Sequence, residues 1–536
     1  MKKNGIRMMA LTLASVLLFG AAFPERVTAA TGNGGKTETK VSSEPSMLPL
    51  YWGSLPFWPE NDEDYGDGYS YSTGTDIYTA DKDEYPELAK ALEKMVGEIE
   101  DYYRDLLPLL KKQTDRVYKA SDDEWLSVYQ EGIFNLCRAD ENVLSFVYYD
   151  NFSGIGDEAD PSSYALGVNL DPDTGKSIDL FDVITSKEDL IKAVDKEIAD
   201  ADIYVDEWKA EARKCVKSAL TDDVIYSGAE SGLSFTIDYN GLMLYFNGED
   251  TGFDDGPCSL LISFSEYPKL FEKKYMSVPE SYFTELMTGD FEYIHWFDLD
   301  GDGDPEPFAL LKEEHDDVDY EYDMSLAWGS SVEELKEAEY FYYANAFLLH
   351  EPDMDCIYVE TTTENDYQTV HVYEITEDGP EYTGSQEGSL KFNMYPDDED
   401  EPIGYIPNDP ESFKMSTTDW TMGTNWLIGD YSAGEDGMPV QNDHYLEYTN
   451  TDYLHIKAVT DIDARYMTEG SRKSRKGTIK KGSYVIPYLL GQDDELLVKT
   501  EDDRIWTLEL EEDEDGYYTY DDERIIDLFE GLSFAG

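Results

Sequence analysis

The chain is poor in the residue types that most often carry chemistry. Histidine occurs six times in 536 residues and cysteine four times. His295, His315, His350, His371, His444 and His455 never stand at metal-ligand spacing, and no H-E-x-x-H pair is present, which disfavours a zinc hydrolase or deacetylase. No G-x-S-x-G elbow occurs either. Gly175-Lys176-Ser177 imitates the end of a phosphate loop, but the position five residues before Gly175 is Leu170, so no glycine frees the backbone amides of a cradle. Cys137, Cys215, Cys258 and Cys356 are too few and too scattered for a disulfide scaffold. Cys215 shares the apolar side of a predicted helix with Trp208, Ala212 and Ala219, and reads as a packed thiol more readily than as half of a bridge.

Positive charge is scarce as well. Against 117 acidic residues stand 41 basic ones, a formal charge of −76, so nucleic acid and anionic membranes are repelled over most of the surface. Cations and basic partners are favoured. A hydrophobic content of 41%, with 42 Tyr and 22 Phe, separates this chain from disordered acidic segments. The one basic cluster, Arg472 to Lys476 with Lys480 and Lys481 just beyond, is either a solvated loop or a contact for an anionic polymer.

The only long apolar run, Met8 to Phe23, follows Lys2, Lys3 and Arg7 and precedes small residues near Ala29, the pattern of a secretory signal. An extracellular chain, secreted or associated with the cell wall, is expected. No later run approaches the ~20 apolar residues of a transmembrane helix. Residues 30–75 read as a flexible, increasingly acidic linker. From Tyr85 to Leu106, apolar residues recur at helical spacing until Pro108, where the helix is expected to break. Strands are predicted at Val143 to Tyr149 and Tyr164 to Leu170, with a turn at Asp171 to Lys176. Helices follow after Ser186 and through Trp208 to Leu220, then a hairpin at Asn240-Gly241. Residues 76–277 therefore read as an α+β module.

The order of a Tyr-Pro helix, a strand pair around Asn169 to Leu180 with its N-x-D-x-x-T-G-K step, two helices and the Asn-Gly hairpin resembles a domain of unknown function. That domain occurs in the ectodomain of the anti-sigma factor RsiV and beside the catalytic domain of the peptidoglycan deacetylase PdaC. The family usually carries an Ala-His-Pro-type step where this chain has Ala159-Asp160-Pro161. The resemblance implies an extracellular, non-catalytic module at a Gram-positive cell wall, in one member a lysozyme receptor.

Residues 278–454 read as a β-rich domain, and 455–536, with short apolar runs between glycine turns, as a small SH3-like C-terminal barrel. The overall expectation is an α+β fold followed by these two β units. The β-rich part opens on FDLDGDGDPEPFAL, where Asp298, Asp300 and Asp302 alternate, Asp304 could lend its carbonyl and Glu306 closes the set. Carboxylates at every second position, with glycines that permit tight coiling, suit the many-oxygen shell of Ca²⁺. A helix-flanked site would need Glu at its twelfth position, which is Ala309, and Pro305 and Pro307 oppose an exiting helix, so the pattern predicts a calcium loop on a β-hairpin. Carboxylate pairs are everywhere in so acidic a chain and identify no catalyst. The expected function is a secreted, cell-wall-associated, non-catalytic binding protein with a structural Ca²⁺ site, taking a basic protein such as lysozyme or a cell-wall polymer. The alternative is an extracellular hydrolase of wall polysaccharide acting through carboxylates that sequence does not single out.

Overall fold

The computed structural model describes residues 45–57, 69–120, 126–153, 162–201, 206–221, 234–247, 258–289, 293–298, 305–314, 321–328, 331–363, 365, 367–376, 379–394, 403–449, 451, 455–468, 473–514 and 516–534. The N-terminal apolar run, Ala159-Asp160-Pro161 and the loop centre Leu299 to Asp304 lie outside them. Among the described residues no helix is long and apolar enough to cross a membrane.

The fold is mostly β, which corrects the α+β expectation. Among the described residues helices are confined to the long Pro86–Ala120, to Lys187–Asp200 and Asp206–Thr221, and to short turns, while strands recur from Leu50 to Glu530. The expected module is also not self-contained as a sheet. Its eight strands run Phe392–Met394, Ile403–Tyr405, Leu50–Phe57, Tyr69–Ala80, Leu126–Asp140, Val143–Ser153, Ser162–Asp171, Lys176–Ser177, so segments from both sides of the module complete it. Nor does the C-terminal segment close into a small barrel. Most of its strands belong to an open eleven-stranded sheet that begins at Phe413–Asp419, and Glu511–Glu512, Tyr518–Tyr520 and Glu523–Arg524 pair in a separate three-stranded sheet. Short apolar runs between glycine turns are common to barrels and to open meanders, and only long-range pairing separates the two.

The long helix lays Leu88, Leu92, Met95, Ile99, Tyr103 and Leu106 on the first sheet against Tyr78, Phe134, Phe146 and Tyr148. It passes through Pro108 instead of stopping there. Proline forfeits one N–H bond and strains the preceding turn. Here it lies on the exposed side, and Leu110 beyond it returns to the core. The same core continues into a second sheet, Tyr282–Leu286, Ala344–Glu351, Met354–Thr362, Gln368–Thr376, Gly379–Glu387, through Phe283, Phe347 and Tyr358. A second core joins the shorter helices to the hairpin Ser234–Ile237 and Gly241–Phe246, where Trp208 meets Phe246 edge-on at 5.3 Å.

The motif around Asn169 does architectural work. Asn169 Oδ1 accepts from Ile237 N (2.9 Å) and Ser145 Oγ (2.8 Å), and its Nδ2 donates to Phe235 O (2.8 Å), so one buried amide stitches the first sheet to the hairpin. Gly175 sits at φ +62° against the long helix, where a Cβ would stand 2.2 Å from Glu87 O. Only glycine fits that turn.

Candidate functional site

Where the hairpin, the second sheet and the paired strands His295–Phe297 and Glu306–Glu314 converge lies a cleft of about 850 Å³. Its floor is aromatic. Tyr239, just past the strand Ser234–Ile237, stacks on Tyr282 with ring centroids 3.7 Å apart and planes within 15°. The His350 ring lies 4.9 Å from Tyr282 and 5.6 Å from Phe297. Both phenols are buried, which pushes their ionisation above the usual tyrosine range; the Tyr239 hydroxyl accepts from Ala139 N at 3.0 Å.

The walls are acidic. Glu280, Glu351, Asp353, Asp355 and Glu374 line the cleft, and Asp298 and Pro305 stand at its margin. The hairpin Ala344–Glu351/Met354–Thr362 places His350 opposite Asp355, with Nδ1 2.7 Å from Oδ1. The Ser281 hydroxyl donates to Glu351 at 2.5 Å instead of to His350, so no Ser-His-Asp relay is assembled. Among the described residues no Lys or Arg lies within ion-pair distance of Glu280, Glu351, Asp353 or Glu374. Carboxylates above an aromatic floor, four of them without a Lys or Arg partner among the described residues, can hold ammonium or guanidinium groups or a cation.

One cleft wall is clamped from behind by a fully buried guanidinium. Arg138 donates to Asp140 Oδ2 (2.7 Å), Tyr275 O (2.6 Å) and Ser277 O (2.8 Å), fixing the segment that runs into Val278, Pro279 and Glu280.

Of the sequence-predicted ligands, Asp298 and Glu306 are described, whereas Asp300, Asp302 and Asp304 lie outside the described residues. His295–Phe297 and Glu306–Glu314 pair antiparallel, Phe297 opposite Glu306, so the loop spans the end of a β-hairpin at the cleft margin. Among the described residues no group of three or more His, Cys, Asp or Glu is arranged to hold a metal. Sequence reasoning missed the cleft itself. The turn His350-Glu351-Pro352-Asp353-Met354-Asp355, dense in carboxylates and bounded by strands, is the one local signal that could have pointed to it.

Tyr342 and Tyr343 are exposed, and the Tyr340 side chain lies outside the described residues. Cys137 and Cys356 are buried thiols, and Cys215 packs at the edge of the second core.

No protein-family model matches the chain, and no curated protein matches it. Among solved structures, a member of the DUF3298 family from Bacteroides fragilis is similar at 15% identity and a TM-score of 0.29, over 42% of this chain and 95% of that one. A DUF3298 family protein from Pseudomonas aeruginosa is similar at 11% identity and a TM-score of 0.27, over 43% and 98% respectively. These structural neighbours are thus members of a bacterial family of unknown function, and likeness at this level has no consequence for the site.

Proposed function

We propose that the protein is a secreted, cell-wall-associated, non-catalytic binding protein whose acidic cleft takes a basic protein surface, with the Asp298 to Glu306 loop as a structural Ca²⁺ clamp at the cleft margin. The observation that carries the reading is the cleft: Glu280, Glu351, Asp353 and Glu374 on its walls have no Lys or Arg partner among the described residues, over a floor of stacked tyrosines. Lysine and arginine side chains complete such a site, and the acidic surface around it accelerates encounter with a basic partner. The resemblance to the RsiV and PdaC module supports lysozyme, a basic protein, as the partner to test. The signal-like N-terminus supports an extracellular setting, where calcium modules typically bind at ~10⁻⁴ to 10⁻³ M.

Titration calorimetry of the full chain with lysozyme at physiological ionic strength tests the reading. Saturable binding that persists when salt is raised modestly is expected; binding that vanishes would mean steering without an interface. Zymography on peptidoglycan should show no clearing, and reproducible clearing would favour the hydrolase. Thermal unfolding tests the clamp. Calcium at 100-fold above its dissociation constant stabilises by about 2.7 kcal/mol, magnesium substitutes poorly, and equal melting in calcium and chelator removes the ion from the account.

A further inference from the structure

Two rows on the outer face of the eleven-stranded sheet carry charge of the opposite sign. Antiparallel register places Arg465 directly opposite Lys476 on one side and Thr507 on the other. Two residues along, Met467, Ile505, Lys499 and Ile486 form a second row across four strands. The other face of these strands, with Trp506, Val498 and Val485, is core.

Like charges directly opposite on a sheet destabilise it. In a chain with 117 acidic residues a carboxylate would be the simplest remedy. None is supplied at Arg465, Lys476 or Lys499: Arg465 Nε donates to Ser474 Oγ at 3.1 Å, Lys499 Nζ stands 3.4 Å over the Tyr488 ring, and no described carboxylate pairs with any of them. The neighbouring turn shows the contrast, since Lys480 pairs with Asp461 at 2.8 Å. The adjoining row on the same face carries acids, Asp463, Glu509 and Glu495, of which Asp463 accepts from Thr478 Oγ1 at 2.7 Å. Exposed Ile486 and half-buried Met467 and Ile505 add apolar contact between the cations.

We infer that this face is an anion-binding surface that takes a phosphate-bearing polymer, with its phosphates on Arg465, Lys476 and Lys499 and its backbone across Met467, Ile505 and Ile486. A guanidinium whose Nε is engaged still offers both Nη groups, a geometry that suits phosphate better than a lone ammonium does. At physiological ionic strength the Debye length is about 8 Å, so the distant carboxylates that repel polyanions are screened while the rows act at contact. The site lies on a different sheet from the cleft and stands or falls independently of it.

The test is fluorescence anisotropy of labelled inorganic polyphosphate with the full chain at physiological salt, with orthophosphate, polyglutamate and phosphatidylglycerol vesicles as further arms. Polyphosphate should bind, and polyglutamate and vesicles should bind at least tenfold more weakly. Arg465→Ser with Lys476→Ser should reduce polyphosphate affinity at least tenfold, Lys499→Ser less, and Lys480→Ser with Lys481→Ser hardly at all, and the double variant should melt no earlier than the native chain, since it removes like charges that face each other. The Lys499→Ser result decides the matter should the double variant melt early. No binding of polyphosphate, equal binding of polyglutamate, preference for vesicles, or equal loss in the Lys480/Lys481 control would each overturn the inference.

Discussion

One strand, Tyr282–Leu286, faces two acid-rich environments that treat charge in opposite ways. At Glu285 the environment is dry. Its carboxylate accepts from Tyr78 Oη (2.8 Å), Leu136 N (3.0 Å) and Lys391 Nζ (2.8 Å), and Lys391 also reaches Asp76 (3.1 Å). Burial opposes the charge on Lys391, but Glu285 and Asp76 outweigh it and hold the ammonium well above its usual range. Three residues earlier, Tyr282 floors a cleft in which Glu280, Glu351, Asp353 and Glu374 have no Lys or Arg partner among the described residues. A buried charge without a partner costs several kcal/mol, so the fold supplies one; a solvated charge costs little, so the fold can leave it open to a partner.

Breaking the dry side should have the largest effect. Lys391→Met strands Glu285 and Asp76, and urea denaturation should show a loss of about 3–5 kcal/mol. Arg138→Lys comes next, because an ammonium cannot reproduce the fork that holds Asp140, Tyr275 O and Ser277 O; a loss of about 1.5–3 kcal/mol is expected. Since that fork fixes the segment leading to Glu280, the same variant should weaken lysozyme binding, which calorimetry reads directly.

A smaller effect, realised only in acid, belongs to His295. Burial pushes its imidazole down to about 4, and Met287 N–H donates to its Nε2 at 3.0 Å. The folded ring stays neutral while the unfolded chain takes up a proton below its ordinary pKa of about 6.5, so this contribution is full above about 6.5 and is lost as pH falls towards about 4. Denaturation midpoints from pH 7 to 4 should decline, and His295→Gln should flatten part of that decline; parallel slopes would contradict the assignment. The smallest effect on stability lies in the cleft. Neutralising Asp353 and Glu374 should change stability by no more than about 0.5 kcal/mol, and a large loss would show that these carboxylates hold the fold.

What could be read from the sequence was what is local. The helical spacing from Leu88 to Leu106, the strands at Val143 to Tyr149 and Tyr164 to Leu170 and the Asn240-Gly241 hairpin each carry their signal within a few turns of chain. The fold class was misjudged because Leu50–Phe57 and Phe392–Met394, hundreds of residues apart, join one sheet, and no periodicity announces such a pairing. The cleft was hidden for the same reason. Tyr239, Glu280, Asp298, Asp353 and Glu374 come from separate stretches, and each alone is an ordinary residue in an acidic chain.

The account rests on the cleft being a site and not merely part of an acidic surface. The most direct measurement compares lysozyme affinity, by calorimetry at physiological salt, for two variants of equal net charge. In one, Glu351→Gln, Asp353→Asn and Glu374→Gln empty the cleft; in the other, Asp105→Asn, Glu411→Gln and Glu501→Gln remove the same charge from exposed positions elsewhere. The account predicts a loss of at least about tenfold, roughly 1.4 kcal/mol, in the cleft variant and little change in its partner. Equal affinities in the two would contradict it.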